Sequence, residues 1–143
     1  MKPRSRRKPN SKASPAKRAA APRGRPGMFP VTPEMQSWCA MLEGELKTWP
    51  GVVAKRLFSH RSFYRGKTIF AALPQVRSFH SPSSIIFKFD PMPAALVGKA
   101  SADSRFISGA RLPGKGWFSF ELRCDADLRD ALFWLNHAYE CAT

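Results

Sequence analysis

The chain has 143 residues, 43% of them hydrophobic, and a formal net charge of +14 at pH 7. That length holds one domain and that hydrophobic fraction suffices for one core, while the lack of any run of about 18 or more apolar residues excludes a membrane span. Ten Lys and Arg and no acidic residue lie within Met1–Pro30, so the remainder is only mildly basic and the charge describes an N-terminal arm rather than a folded site.

From Met1 to about Gly27 the chain is dominated by Lys, Arg, Pro, Ala, Ser and Gly, with no large apolar residue between Met1 and Met28. Such a segment cannot bury enough surface to offset its ordering entropy, so residues 1–30 are expected to form a disordered basic arm. No apolar stretch follows Ser5-Arg6-Arg7-Lys8, as an export leader would require. Arg4, Arg6, Arg7, Lys8, Lys12, Lys17, Arg18, Arg23 and Arg25 are the candidate contacts to nucleic acid or another polyanion. Their chemistry is nonspecific phosphate contact with counterion release.

Thr32, Pro33 and Glu34 open a helix as N-cap, first helical residue and first-turn acid. Met35, Trp38, Cys39, Leu42, Leu46 and Trp49 then share one face, and Pro50-Gly51 ends the run. Val52 to Phe58 reads as a strand, and Ser62 to Leu73 as a hairpin bent at Arg65-Gly66. Gln75 to Ser84 is a polar loop between Pro74 and Pro82. Ser84 to Phe89 is the next strand, closed by Asp90-Pro91, and a short helix passes through Ala94, Leu96 and Val97. Gly109 to Gly116 forms an extended approach to the last strand. There Phe118, Phe120 and Leu122 alternate with Ser119, Glu121 and Arg123, so one face is apolar and the other can meet water. Asp125 and Asp127 mark the start of a final helix whose Leu128, Ala131, Leu132, Leu135, Ala138 and Tyr139 form an apolar stripe. The order predicts an α+β domain over residues 31–143, an antiparallel sheet of about four to five strands flanked by an N-terminal and a C-terminal helix.

Three histidines are the acid-base candidates. His60 and His80 flank the hairpin and can be brought together, while His137 lies apart on the last helix. No metal-ligand spacing or carboxylate cluster joins them, and they read as surface or loop residues. Cys39, Cys124 and Cys141 are odd in number and lack C-x-x-C spacing, which suits reduced thiols in the cytoplasm. Ser81-Pro82-Ser83-Ser84 is no nucleophile elbow, and Gly109, Gly114 and Gly116 precede a strand rather than a helix, so they form no phosphate loop. Lys55, Arg56, Arg61, Arg65, Lys67 and Lys88 interleave with Phe63 and Tyr64. That mixture is more often core aromatics with solvated charge than a strand-binding face.

The stretch from Gly116 to Arg123 with Asp125 to Tyr139, and the Trp49-Pro50-Gly51-Val52 entry, resembles the small luciferase-domain family named after fungal luciferase. Arg56-Leu57-Phe58, Phe63 to Phe70 and Ile86-Phe87-Lys88 are similar to the TfoX N-terminal domain. The resemblances span about Thr32 to Cys141 and imply a compact α+β domain, oxidative chemistry on the first and a regulatory or adaptor role on the second. Neither carries a catalytic residue over, Ala71-Ala72-Leu73-Pro74 standing where the luciferase-domain pattern has His-Leu-His-Gly. The expectation is a non-enzymatic binding or regulatory domain without metal or cofactor, its partners a polyanion at the arm or a protein; the alternative is a luciferase-like oxidative enzyme domain.

If the arm engages about six phosphates, affinity for unrelated DNA and RNA sequences should fall on the order of a thousandfold between about 50 and 200 mM salt. Fluorescence anisotropy should show this for the full chain and not for a chain beginning at Val31.

Overall fold

In the computed structural model, residues 29–107 and 115–142 are described. The arm positions from Arg4 to Arg25, Gly109 and Gly114 lie outside them. The chain runs through β1 (Phe29–Pro30), α1 (Pro33–Leu46), β2 (Val52–Leu57), β3 (His60–Arg65), β4 (Thr68–Pro74), β5 (Arg77–Ser78), β6 (Ser84–Lys88), α2 (Ala94–Ala102), β7 (Trp117–Glu121) and α3 (Asp127–Cys141). Strands β2, β3, β4, β6 and β7 form one antiparallel sheet in that order. With helices at both ends, the domain is α+β.

Helix α1 begins as its sequence dictates, with Thr32 Oγ1 accepting the Met35 N–H at 3.0 Å. Its buried face is Met35, Trp38, Cys39, Leu42 and Leu46. Helix α3 lies beside it over β4 and β6 and buries Ala131, Trp134, Leu135, Ala138 and Tyr139. Asp125 stands just before α3 as its sequence indicates, and its side chain accepts the Trp38 indole N–H at 2.7 Å and so ties the two helices together. At the far end the Tyr139 hydroxyl donates to Pro50 O at 2.6 Å, and the Trp49 and Phe70 rings pack on Tyr139. Both helices occupy one face of the sheet, so Phe63, Ala71, Ile85, Phe87 and Phe120 meet them in a single core.

The sheet departs from expectation in three ways. Phe29–Pro30, placed at the end of the arm by composition, pair antiparallel with Arg77–Ser78 inside the predicted loop. Ser119 does not face water: it is 1% exposed, although it lies on the helix-free face opposite Ile86. Third, the outer edge of β7 is closed by the segment after α2, through the Phe106 bridge to Phe120 and the Glu121 N–H to Arg105 O bond of 2.8 Å.

Gly116 opens β7 in the left-handed region at φ +87°, with its carbonyl accepting the Phe89 N–H at 2.8 Å. A Cβ there would lie 2.3 Å from Phe89 O, a backbone atom that cannot step aside. Gly66 also has positive φ, but its Cβ position is open. Gly116→Ala should therefore cost about 3 kcal/mol and Gly66→Ala only about 1, read from urea midpoints at unchanged m-value.

Candidate functional site

The helix-free face acquires a cavity from two local features. Strands β2 and β3 are joined by only Phe58 and Ser59, and Phe58 takes φ 56°, where a bulky side chain is an outlier. Its ring is 93% exposed. Alternation then puts His60, Ser62 and Tyr64 on the helix-free face, and the register aligns Ser62, Ala72, Ile86 and Ser119 across it. The loop after β4 folds back along this face, so that the Phe79 ring stands 4.9 Å from the His60 ring. Serine hydroxyls hold that loop: Ser78 Oγ donates to Ser81 O, Ser84 Oγ donates to Phe79 O, and the two hydroxyls lie 3.2 Å apart. The cavity between loop and sheet measures about 280 Å³. Ala72 and Ile86 form its floor, Leu57, Phe58, Phe79 and Trp117 its apolar walls, and Ser59, His60, Arg77 and Ser78 its polar margin.

His60 is 6% exposed, and burial pushes its imidazole down to about 4, so the ring is neutral at pH 7. Nδ1 lies 3.4 Å from Ser59 Oγ, whereas Nε2 has no hydrogen-bond partner among the described residues. The buried Ser119 hydroxyl, on the same face, has none either. A buried polar atom left without a partner costs about 1–3 kcal/mol, and each such atom calls for an explanation. Arg77 is exposed and makes no ion pair among the described residues; Lys88 pairs with Trp117 in the β6–β7 register.

The sequence candidates separate across this frame. His60 is a buried strand residue rather than a surface one, because the folded-back loop covers it. Phe79 lies between it and His80, its ring 5.8 Å from the His80 ring. His137 is far off on α3 against Phe133. Among the described residues no group of three His, Cys, Asp or Glu is placed to hold a metal ion. Cys39 is buried in α1, and desolvation, with the Glu43 charge adding to it, pushes its thiol up to about 12. Strand alternation divides the basic set. Arg61 pairs with Glu43, and Arg65 lies over the Tyr139 ring and donates to Tyr139 O, all on the helix side. Lys55 extends over Tyr64 on the helix-free side. Phe63 is core.

Arg105 gathers the carboxylates of Asp103, Asp127 and Asp130 at 2.7, 2.7 and 3.0 Å. Hydrogen bonding to Arg105 lowers the Asp103 pKa. Burial alone would raise that of Asp127, but the Arg123 N–H and the Arg105 guanidinium outweigh it and lower it. Asp127 Oδ1 faces the arginine while its Oδ2 accepts the Arg123 and Cys124 N–H groups, so the cluster fastens the end of α2 to the start of α3.

Sequence reasoning missed Phe58, Phe79 and Trp117 as cavity walls. The available signal was a tight connection between two strands containing neither Gly nor Asn, which forces an unfavourable residue into positive φ.

The two kinds of titrating group act in different pH windows. The His60 pKa is depressed on folding, so its contribution is intact above about pH 6.5 and is lost as pH falls toward about 4, by up to about 3 kcal/mol. The Asp103 and Asp127 pKa values are also depressed, and their contribution is lost only as pH falls below the ordinary carboxylate range. Urea unfolding across pH should show His60→Gln flattening the first window and leaving the second.

Comparison of the chain with family models, with curated proteins and with solved structures finds no match.

Proposed function

We propose that the chain is a small non-enzymatic binding or regulatory domain that takes its ligand on the helix-free face, with the basic arm contacting nucleic acid or another polyanion through phosphates. The observation that carries this reading is the chemistry of the cavity wall. It is built of Leu, Phe, Trp, Ile and Ala side chains, and among the described residues that line it His60 is the one side chain suited to proton transfer. Among the described residues neither a carboxylate nor a thiol lines it, and although the Ser59 hydroxyl lies 3.4 Å from His60 Nδ1, no third side chain there orients the ring. General acid-base or nucleophilic catalysis uses two or three groups in mutual reach. Apolar walls with a few polar atoms at the margin are what binding requires.

The arm supplies a separate term. Its Lys and Arg, with no aromatic residue among positions 1–28, offer charge, which gives affinity and not sequence preference. A luciferase-like oxidative enzyme is the competing reading, and it calls for a redox group or an activated oxygen species at the cavity.

Anilinonaphthalene sulfonate, an aromatic anion, serves as a probe. It should bind saturably near one equivalent, and Trp117→Ala and Phe58→Gly, which remove two of the apolar walls, should each weaken that binding severalfold. A flavin or metal retained in stoichiometric amount by the purified protein would overturn the non-enzymatic reading, and so would dye binding indifferent to Trp117 and Phe58.

A further inference from the structure

We propose that the cavity beside Phe58 binds a small uncharged aromatic ligand, of the size of two fused rings, whose hydroxyl group hydrogen-bonds to His60 Nε2. The inference rests on the binding reading above and assigns it a ligand class.

Volume and walls set the skeleton of the ligand. An apolar cavity of about 150 Å³ takes a benzene ring, so one of about 280 Å³ has room for two fused rings. Phe58, Phe79 and Trp117 bring their rings to its walls over a floor of Ala72 and Ile86, and aromatic faces favour a planar guest in offset or edge-to-face contact. Phe58 belongs to the site on separate grounds. Its ring is almost fully exposed and its backbone is held at φ 56° on a two-residue connection, a strained arrangement of the sort that gathers at ligand-contacting positions. A guest seated in the cavity covers apolar surface that Phe58 otherwise gives to water.

The hydroxyl follows from His60. The residue lines the cavity and is 6% exposed, and its Nε2 is closed to solvent without a hydrogen-bond partner among the described residues. The missing partner therefore has to arrive with the ligand. The loop that brings the Phe79 ring to 4.9 Å from the imidazole is held through the Ser78 and Ser84 hydroxyls, so a small shift of Phe79 opens the path. A neutral imidazole presents Nε2 as donor or acceptor according to the role Nδ1 takes toward Ser59, and a hydroxyl answers either.

Charge plays a smaller part. Arg77 is the one charged side chain lining the cavity among the described residues, and it is exposed at the margin, where an ion pair adds little. A carboxylate carried inward would lose its hydration with no buried cation to replace it.

The test loads the full chain with anilinonaphthalene sulfonate and displaces the dye with 2-naphthol, naphthalene or 2-naphthoate. The naphthol should bind about five- to tenfold tighter than naphthalene, and the naphthoate no tighter than naphthalene. His60→Phe keeps a ring and removes the nitrogen, so it should bring the naphthol down to the affinity of naphthalene while leaving naphthalene binding in place. A His60 that served only strand packing would shift both ligands alike. In the unaltered chain the imidazole nitrogen resonances of His60 should move with the naphthol and not with naphthalene, a readout that does not depend on the variant folding. Equal affinity of naphthol and naphthalene, a preference that survives His60→Phe, or tighter and salt-sensitive binding of the naphthoate would overturn the hydroxyl assignment, while dye binding would keep the cavity as a site. Absence of dye binding would overturn the binding reading with it.

Discussion

The fold depends on how one tryptophan is enclosed. Trp134 of α3 stacks on Phe87 of β6 at 6.4 Å with the rings 1° from parallel, and meets Phe89, Phe106 and Phe133 edge to face. These rings come from the central sheet, the segment after α2 and α3 itself, so one indole fixes the spacing of three parts of the chain. Aromatic pairs of this kind add about 0.5–1.5 kcal/mol each to the area they bury. They are directional, which aliphatic contacts are not. Arg105 completes the arrangement from outside: its guanidinium lies 4.9 Å from the Phe120 ring while holding the three aspartates, so the segment that brings Phe106 into the cluster is fastened at its polar end as well.

Placing both large helices on one side leaves the other side of the sheet to be covered by what the strands and loops themselves supply. Serine and alanine at Ser62, Ala72 and Ser119 keep that surface low, and the loop held by Ser78 and Ser84 covers only part of it. The cavity is the remainder. It follows from the layer architecture combined with a run of small side chains, rather than from a motif.

Local signals predicted most of the fold. Thr32-Pro33-Glu34 announced α1, the spacing from Leu128 to Tyr139 announced α3, and the alternation of Phe118, Phe120 and Leu122 gave β7 its inward face. Alternation identifies two faces, but it does not say whether the second is covered, and the burial of Ser119 therefore leaves no local trace. Asp127 read as a helix-start acid, and it does accept the Arg123 and Cys124 N–H groups. Its ion pair with Arg105 spans 22 residues and leaves no local trace. The candidate site was the least legible part, since Phe58, Phe79 and Trp117 meet only once the loop has folded back, and a two-residue pairing such as β1 with β5 is too short to carry a periodicity.

The two edges of the sheet have different fates. Phe106 and its neighbours occupy the β7 edge, but β2 has only β3 beside it among the described residues, and Val53, Lys55, Arg56 and Leu57 are exposed along it. An unpaired strand invites another strand, and with two apolar residues on it β2 would be a template for self-association. Antiparallel docking of a second copy sets the Lys55-Arg56 pair of one molecule against the same pair of the other, and like charges directly opposed on paired strands repel. Lys55 and Arg56 thus act as charged gatekeepers on the sheet edge that has no neighbouring strand among the described residues.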